Sequence, residues 1–300
     1  MARPWPVMPG LRGEWRQAEP LAAYTTWRVG GPADRFYRPA DAADLCALLQ
    51  GLPADEPRLW LGLGSNLLVR DGGVRGTVIA TQGGLMGLER IGPDTLWVEA
   101  GVACAKVARF GARHDLVGAE FLAGIPGALG GALAMNAGAW GGEIWALVIA
   151  VDTVDRHGER HRRRPQDYRI GYRRVQGPAD EGFLAAQLQL TPGDGAAALA
   201  RIRELLDRRS RSQPTGVASC GSVFRNPPGD YAARLIETAG LKGLRIGGAC
   251  VADKHANFIL NTGGARAADL EALILRVAEV VERVHGVRLE PEVRIVGEAA

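Results

Sequence analysis

Between Phe121 and Gly142 the chain carries no charge over 22 residues, and seven of those residues are glycine. Length and polarity alone would permit a transmembrane helix. The glycines, with Pro126 and Asn136, argue against it, because they interrupt the continuous backbone hydrogen bonding that lipid demands. The segment therefore reads as buried, ligand-facing loop and turn, where glycine allows close backbone approach.

At 300 residues the chain is long enough for two or three compact units. Hydrophobic residues at 47% and charged residues at 23% exclude global disorder, and a net charge of +3 argues against a dedicated polyanion binder. Four cysteines, Cys46, Cys104, Cys220 and Cys250, form no CxxC pair, and no histidine stands at zinc-ligand spacing. His157 and His161 bracket Gly158-Glu159-Arg160, a hairpin tip, so no metal site is expected. Met-Ala-Arg-Pro-Trp-Pro at the start lacks the apolar core of an export signal. Reduced thiols in a cytoplasmic protein are the economical expectation.

Short apolar runs alternate with helical patterns, which reads as α+β. Strands are predicted at Leu59–Leu63, Thr77–Thr81, Leu96–Glu99, Leu147–Val154 and Phe183–Leu190, then near Asn257–Asn261 and Val293–Val296. Helices are predicted at Asp41–Gln50, Cys104–Leu116, Ala196–Arg211 and near Tyr231–Ala239. The clearest is Ala267–His285, where Leu270, Leu273, Ile274, Val277, Val281 and Val284 recur at helical spacing and Gly286 supplies the stop. Arg156–Arg174 holds eight arginines but no aromatic stacking platform, and Asp155, Glu159 and Asp167 dilute its charge. It reads as a solvated hairpin, not a nucleic-acid surface.

Two glycine loops invite a ligand. Leu61-Gly62-Leu63-Gly64-Ser65-Asn66-Leu67 follows a predicted strand, and its closely spaced N–H groups, with Ser65 and Asn66, could face an anion. It is neither a Walker A loop nor a complete GxGxxG fingerprint, since Leu67 stands at the third glycine. Gly124-Ile125-Pro126-Gly127-Ala128-Leu129-Gly130-Gly131 is richer. Two such segments suit a long dinucleotide with a central pyrophosphate, and close helix-on-sheet packing would explain the second equally.

Together these segments resemble the UDP-N-acetylenolpyruvoylglucosamine reductase family. The resemblance begins at Thr25-Thr26-Trp27-Arg28-Val29-Gly30-Gly31-Pro32 and runs through both glycine loops. It continues through Gly171-Tyr172-Arg173, Cys220-Gly221-Ser222-Val223-Phe224-Arg225-Asn226-Pro227 and Ala239-Gly240-Leu241-Lys242-Gly243. It closes with Lys254-His255-Ala256-Asn257-Phe258 and Leu289-Glu290-Pro291-Glu292-Val293-Arg294. Departures are Val175 and Ala252 where serines are expected, and Trp140 for a tyrosine. The chain is too short after Leu188 for a substrate-covering insertion, so it resembles the shorter branch.

The resemblance implies a vanillyl-alcohol-oxidase (PCMH) type FAD-binding fold in two subdomains, 1–80 and 81–195, the final strand in 287–300 returning to the first, with a substrate domain at 196–286. It implies that NADPH reduces FAD, which then reduces the enolpyruvyl group of UDP-N-acetylglucosamine enolpyruvate to give UDP-N-acetylmuramate. By likeness FAD lies along Gly62, Gly64, Ser65, Asn66 and Leu67, and along Gly124, Ile125, Pro126, Gly127 and Gly131. Arg225, Asn226 and Lys242 are candidate donors to the UDP-sugar phosphates. Small-molecule substrates are expected, with no nucleic acid, membrane or obligate protein partner.

Three residues would carry the chemistry. Hydride addition to an enolpyruvyl ether leaves negative charge on the neighbouring carbon and its carboxylate, which the planar fork of Arg173 matches. That carbon is far more basic than a serine alkoxide, so Ser222 can protonate it. A bare carboxylate would repel the same charge, so Glu292 is expected to act protonated or through a hydrogen bond. Glu290, two residues earlier, would face the same side by strand alternation. The rival readings are another flavin oxidoreductase of this fold, which needs neither Ser222 nor Glu292, and a flavin-free nucleotide-sugar binding protein.

Overall fold

The computed structural model describes Met8 and Gly10–Ala300. The amino-terminal stretch judged above to lack an export signal lies outside the described residues. The chain divides into two compact units. The larger holds residues up to Gln17, Arg35–Leu63 and Gly76–Asp207; the smaller holds Ala18–Asp34, Gly64–Arg75 and Arg208–Ala300.

In the larger unit, α1 (Ala42–Gly51) starts where Asp41 accepts the Asp44 N–H, an N-cap that replaces one missing helical partner. Five antiparallel strands lie in the order Arg160–Arg163, Val148–Val154, Gly182–Gln189, Thr95–Glu99 and Leu88–Arg90. Leu96, Val98, Val151, Ala186 and Leu188 turn one face of that sheet into a core shared with α2 (Cys104–Arg113) and α3 (Leu129–Met135). A second sheet orders Glu14–Pro20, Pro32–Arg38, Val74–Ala80 and Arg58–Leu61. Arg58–Leu61 runs parallel to Val74–Ala80, with Arg58 opposite Thr77 and Leu61 opposite Ala80.

The charge-free stretch is a broken series and not one helix. A 3-10 turn at Glu120–Gly124 leads through the loop into α3, which ends at Asn136 in the left-handed region, and the chain then folds back through Gly138–Ala139 and Gly142–Glu143. Among the described residues no helix is long and apolar enough to cross a membrane. The arginine-rich stretch forms two hairpins, neutralised by Asp155 on His161, Asp180 on Arg156 and Glu181 on Arg163. Asp155, Glu159 and His161 converge there, but Asp155 Oδ1 accepts the N–H groups of His157 and Glu159 while Oδ2 pairs with His161 Nε2 at 2.9 Å. Its carboxylate thus caps the turn.

After α4 (Gly195–Ser212), the smaller unit packs α5 (Ala232–Thr238) and α6 (Ala267–His285) against a four-stranded antiparallel sheet: Ala218–Ser219, Ile259–Asn261, Ala249–Val251 and Arg245–Ile246. Leu270, Leu273, Ile274, Val277 and Val281 are buried as their spacing predicts, but Val284 is 52% exposed and Val280 takes up the last buried turn. Val284, in the last turn of the helix, is left at the surface. The last strand, Arg294–Val296, runs parallel to Leu67–Val69 in the same unit. All four cysteines are buried and free.

Candidate functional site

In the larger unit the two glycine loops meet. A Cβ on Gly62 would stand 3.2 Å from the Ala128 Cβ, so the strand end at Leu61 is set against the second loop. That loop is pinned from behind: Gly127 C=O accepts the Cys104 N–H at 2.9 Å, and the Gly130 N–H reaches Ala100 C=O at 2.8 Å. Its glycines divide by what they face. Gly124 abuts the Trp140 ring and Gly130 abuts Ala100, whereas a Cβ on Gly131 would meet nothing within 4 Å. Close packing explains the first two. Gly131 borders open space, and Pro126 beside it is exposed.

Arg173 joins this constellation. Gly171 pairs with Arg174, so Tyr172 and Arg173 form a two-residue hairpin loop, and Arg173 adopts a left-handed φ of 52°. The buried Asn136 donates to Gly171 C=O at 3.1 Å. Arg173 returns the contact, donating from Nη1 to Asn136 C=O at 3.2 Å and from Nη2 to Gly138 C=O at 2.6 Å. Its guanidinium also lies 4.9 Å from the Tyr172 ring centroid. These contacts set the plane of the fork.

In the smaller unit the rest of the first loop lies beside Thr26, whose N–H donates to Gly64 C=O at 3.2 Å. Gly64 has φ +59°, and a Cβ there would come within 2.0 Å of Tyr24 C=O, so only glycine fits. Thr26 Oγ1 is buried without a hydrogen-bond partner. An orphaned hydroxyl beside a glycine turn, and open space over Gly131, both suit a bound polar ligand such as a dinucleotide.

The same unit brings the segment that follows Ser222 against the one that carries Glu292, 70 positions away in sequence. Between them Val223 C=O accepts the Glu292 N–H at 2.7 Å, Phe224 bridges Pro291, and the Arg225 N–H donates to Glu290 C=O at 2.9 Å. Asn66 flanks this pairing: its Nδ2 donates to Glu292 C=O at 3.1 Å and its C=O accepts the Arg294 N–H at 3.1 Å. On the other side Asn257 bonds the Val223–Phe224 backbone three times. Burial, and secondarily the charge of Glu292, hold the Cys220 thiol well above its usual range, so it stays protonated.

Glu290 separates from Glu292. It is exposed and pairs with Arg225 at 3.5 Å, whereas Glu292 is half-buried. Pro291 between them lies opposite Phe224 at a position that needs no donor, with the Arg225–Glu290 and Glu292–Val223 backbone bonds on either side. The proposed phosphate donors are engaged locally. Lys242 pairs with Glu237 at 2.5 Å, and Asn226 Oδ1 accepts the Ala232 N–H at 3.1 Å, at the start of α5. Two polar residues of this unit have no role in the sequence reading beyond their motif. Asn257 is one; the other is His255, whose Nδ1 is buried without a partner and whose pKa burial lowers. The motif around residue 255 marked the segment, but side-chain roles depend on partners far away in sequence.

Residues 33–163 match a family described as an FAD binding domain, and residues 213–296 match one described as the UDP-N-acetylenolpyruvoylglucosamine reductase C-terminal domain. A UDP-N-acetylenolpyruvoylglucosamine reductase of Alkalilimnicola ehrlichii is 64% identical over 96% of each chain. One from Methylococcus capsulatus is 62% identical, covering 96% of this chain and 95% of its own. The crystal structure of UDP-N-acetylenolpyruvylglucosamine reductase from Thermus caldophilus superposes with a TM-score of 0.82 at 36% identity, covering 95% of this chain and 98% of that one. The fold is therefore the FAD-binding type expected from the sequence.

Proposed function

The chain belongs to the UDP-N-acetylenolpyruvoylglucosamine reductase family and is an oxidoreductase, and we propose that it reduces UDP-N-acetylglucosamine enolpyruvate to UDP-N-acetylmuramate with FAD and NADPH. The observation that supports the reading is the pairing of the residue after Ser222 with Glu292, the Val223 carbonyl lying 2.7 Å from the Glu292 nitrogen. A flavin oxidoreductase of this fold with another acceptor has no need of that pairing.

The residues present fit FAD. Gly62, Gly64, Ser65, Asn66 and Leu67, with Gly124, Ile125, Pro126, Gly127 and Gly131, would hold it. When bound, FAD supplies two-electron chemistry, accepting hydride from NADPH and passing hydride to the enolpyruvyl methylene carbon. Arg173 then faces the substrate carboxylate, where a planar cation stabilises the charge that develops on hydride addition. The carbonyls of Asn136 and Gly138 fix its plane beforehand, so little reorganisation is needed as the charge forms.

Ser222 gives its hydroxyl proton to the carbon next to that carboxylate, completing addition across the double bond. Gly221, with φ +81° and no atom within 4 Å of a would-be Cβ, leaves room on one side of this hydroxyl. Glu292 stabilises the charge as it builds, through a hydrogen bond or in its protonated form. Residues 196–286 are assigned to the UDP-sugar, with Arg225, Asn226 and Lys242 turning to its phosphates by exchanging their present partners. The enzyme would work in the cytoplasm, in peptidoglycan precursor synthesis, on small molecules alone.

An anaerobic absorbance trace tests the reading. One equivalent of NADPH should bleach the flavin band, and added UDP-N-acetylglucosamine enolpyruvate should restore it. Ser222→Ala should bleach equally and fail to recover. Full recovery in that variant would sink the assignment of the proton donor; bleaching without recovery in the wild type would sink the substrate.

A further inference from the structure

Asn257 is 3% exposed, at the heart of the smaller unit's core, yet it is a polar residue with four hydrogen-bonding positions to satisfy. Two of them go to one residue: its Oδ1 accepts the Phe224 N–H at 2.9 Å and its Nδ2 donates to Phe224 C=O at 2.8 Å. Its main-chain carbonyl accepts the Val223 N–H at 2.9 Å beside them. A carboxamide offers an acceptor and a donor side by side, so the side chain does for Phe224 what a neighbouring strand would do. Aspartate lacks the donor, and leucine lacks both groups.

The far side of the same piece of chain carries the acid. Val223 is gripped at its N–H by Asn257 and at its C=O by Glu292. Its side chain and that of Phe224 are buried at 0% and 1% exposure. Upstream, Gly221 sits at positive φ, where a Cβ would meet nothing within 4 Å, between Ser222 and the paired residues Ala218–Ser219. On its carboxyl side Ser222 is held through the two residues that Asn257 bonds.

We infer that Asn257 is a positioning residue for the protonation step, fixing the register between Ser222 and Glu292 without touching the substrate. The inference rests on the reading of Ser222 as proton donor. It predicts a split between half-reactions. Loss of the clamp misplaces a hydroxyl used only when the enolpyruvyl group is reduced, and leaves flavin reduction by NADPH as it was. Displacement of a reacting group by about 1 Å costs on the order of 100-fold in rate.

The experiment is stopped-flow flavin spectroscopy on Asn257→Asp and Asn257→Ala holoenzymes, alone and combined with Ser222→Ala. The expected result is unchanged reduction by NADPH and roughly 100-fold slower reoxidation by UDP-N-acetylglucosamine enolpyruvate. Adding either Asn257 change to Ser222→Ala should then cost nothing further, because the positioned group is gone. Flavin-loaded Asn257 variants that reoxidise at the wild-type rate would overturn the inference. So would an equal further loss in the Ser222→Ala background, which is the mark of a general structural role. If Ser222→Ala itself reoxidises normally, the proton-donor reading has failed and takes this one with it.

Variants that do not fold leave a measurement on the wild type. The amides of Val223, Phe224 and Glu292 should be among the most slowly exchanging in residues 208–300. Fast exchange at Val223 or Phe224 would show that no clamp holds them, and would overturn the inference.

Discussion

The Arg173 hairpin and the Ser222 segment hold their functional side chains in opposite ways. Arg173 stands on a two-residue loop between three-residue strands, with exposed residues on both sides, and its side chain helps to tie it inward, through two carbonyls. Ser222 precedes two fully buried residues and is placed by main-chain bonds from Asn257 on one side and Glu292 on the other. In the hairpin, position depends on the functional group itself, so changing the group changes where it sits. In the clamp, the backbone sets position, so the functional group can be removed and the geometry kept.

The sharpest use of that contrast is Ser222→Ala. The backbone bonds remain, so folding and flavin content should match the wild type while turnover falls by about 10²–10⁴-fold, the range for a lost general acid. Ser219→Ala, three residues away, should leave turnover intact. Glu292 comes next. If it acts as a hydrogen-bond donor, Glu292→Gln keeps a donor and Glu292→Ala does not, so reoxidation by the enolpyruvyl substrate should be fastest in the wild type, slower in Gln and slowest in Ala. A Gln variant as poor as Ala would instead require an ionisable group at this position.

For Arg173 the expectation differs in kind. Arg173→Lys keeps the charge but loses the fork, both toward a carboxylate and toward the Asn136 and Gly138 carbonyls that fix its plane. A charge-assisted bond lost is worth about 1.5–3 kcal/mol, or roughly 10–100-fold in turnover, with KM for the enolpyruvyl substrate raised as well. A purely kcat effect would mean that the carbonyl contacts do not position the side chain, and the comparison with Ser222 would collapse.

The sequence made some of this visible and hid the rest for physical reasons. Ala267–His285 was legible to the residue because a helix writes its buried face every three to four positions. Val284 misled because periodicity shows which face is apolar but not which of its positions tertiary packing covers. The glycine loops were legible as glycine, yet which glycine packs and which faces open space depends on Trp140 and Ala100, whose approach no local pattern records. The meeting of the Ser222 and Glu292 segments could be expected only from the resemblance to a family, since the two residues lie 70 positions apart. Asn257 was quoted within a motif and given no task, because its partners lie 33 and 34 positions away. The interleaving of Ala18–Asp34 and Gly64–Arg75 with the carboxy-terminal residues likewise leaves no short-range trace.

The smallest effect separates two adjacent glycines of α3 and asks whether position and function can be parted in the larger unit too. At Gly130 a Cβ would lie 3.0 Å from the Ala100 Cβ and 3.3 Å from its carbonyl oxygen, which already accepts the Gly130 N–H. Gly130→Ala must push the helix off that strand end, and overpacking of this kind costs about 1–3 kcal/mol. At Gly131 the same methyl enters open space, and the helix gains about 0.5–1 kcal/mol from losing a flexible residue. Thermal melts of the flavin-free proteins should therefore move in opposite directions, Gly130→Ala down and Gly131→Ala slightly up. Titration with FAD then tests what the open space is for. Gly131→Ala should bind FAD more weakly than the wild type despite its higher melting point, because the methyl occupies ground proposed for the cofactor. Equal affinity would remove Gly131 from the cofactor-holding set.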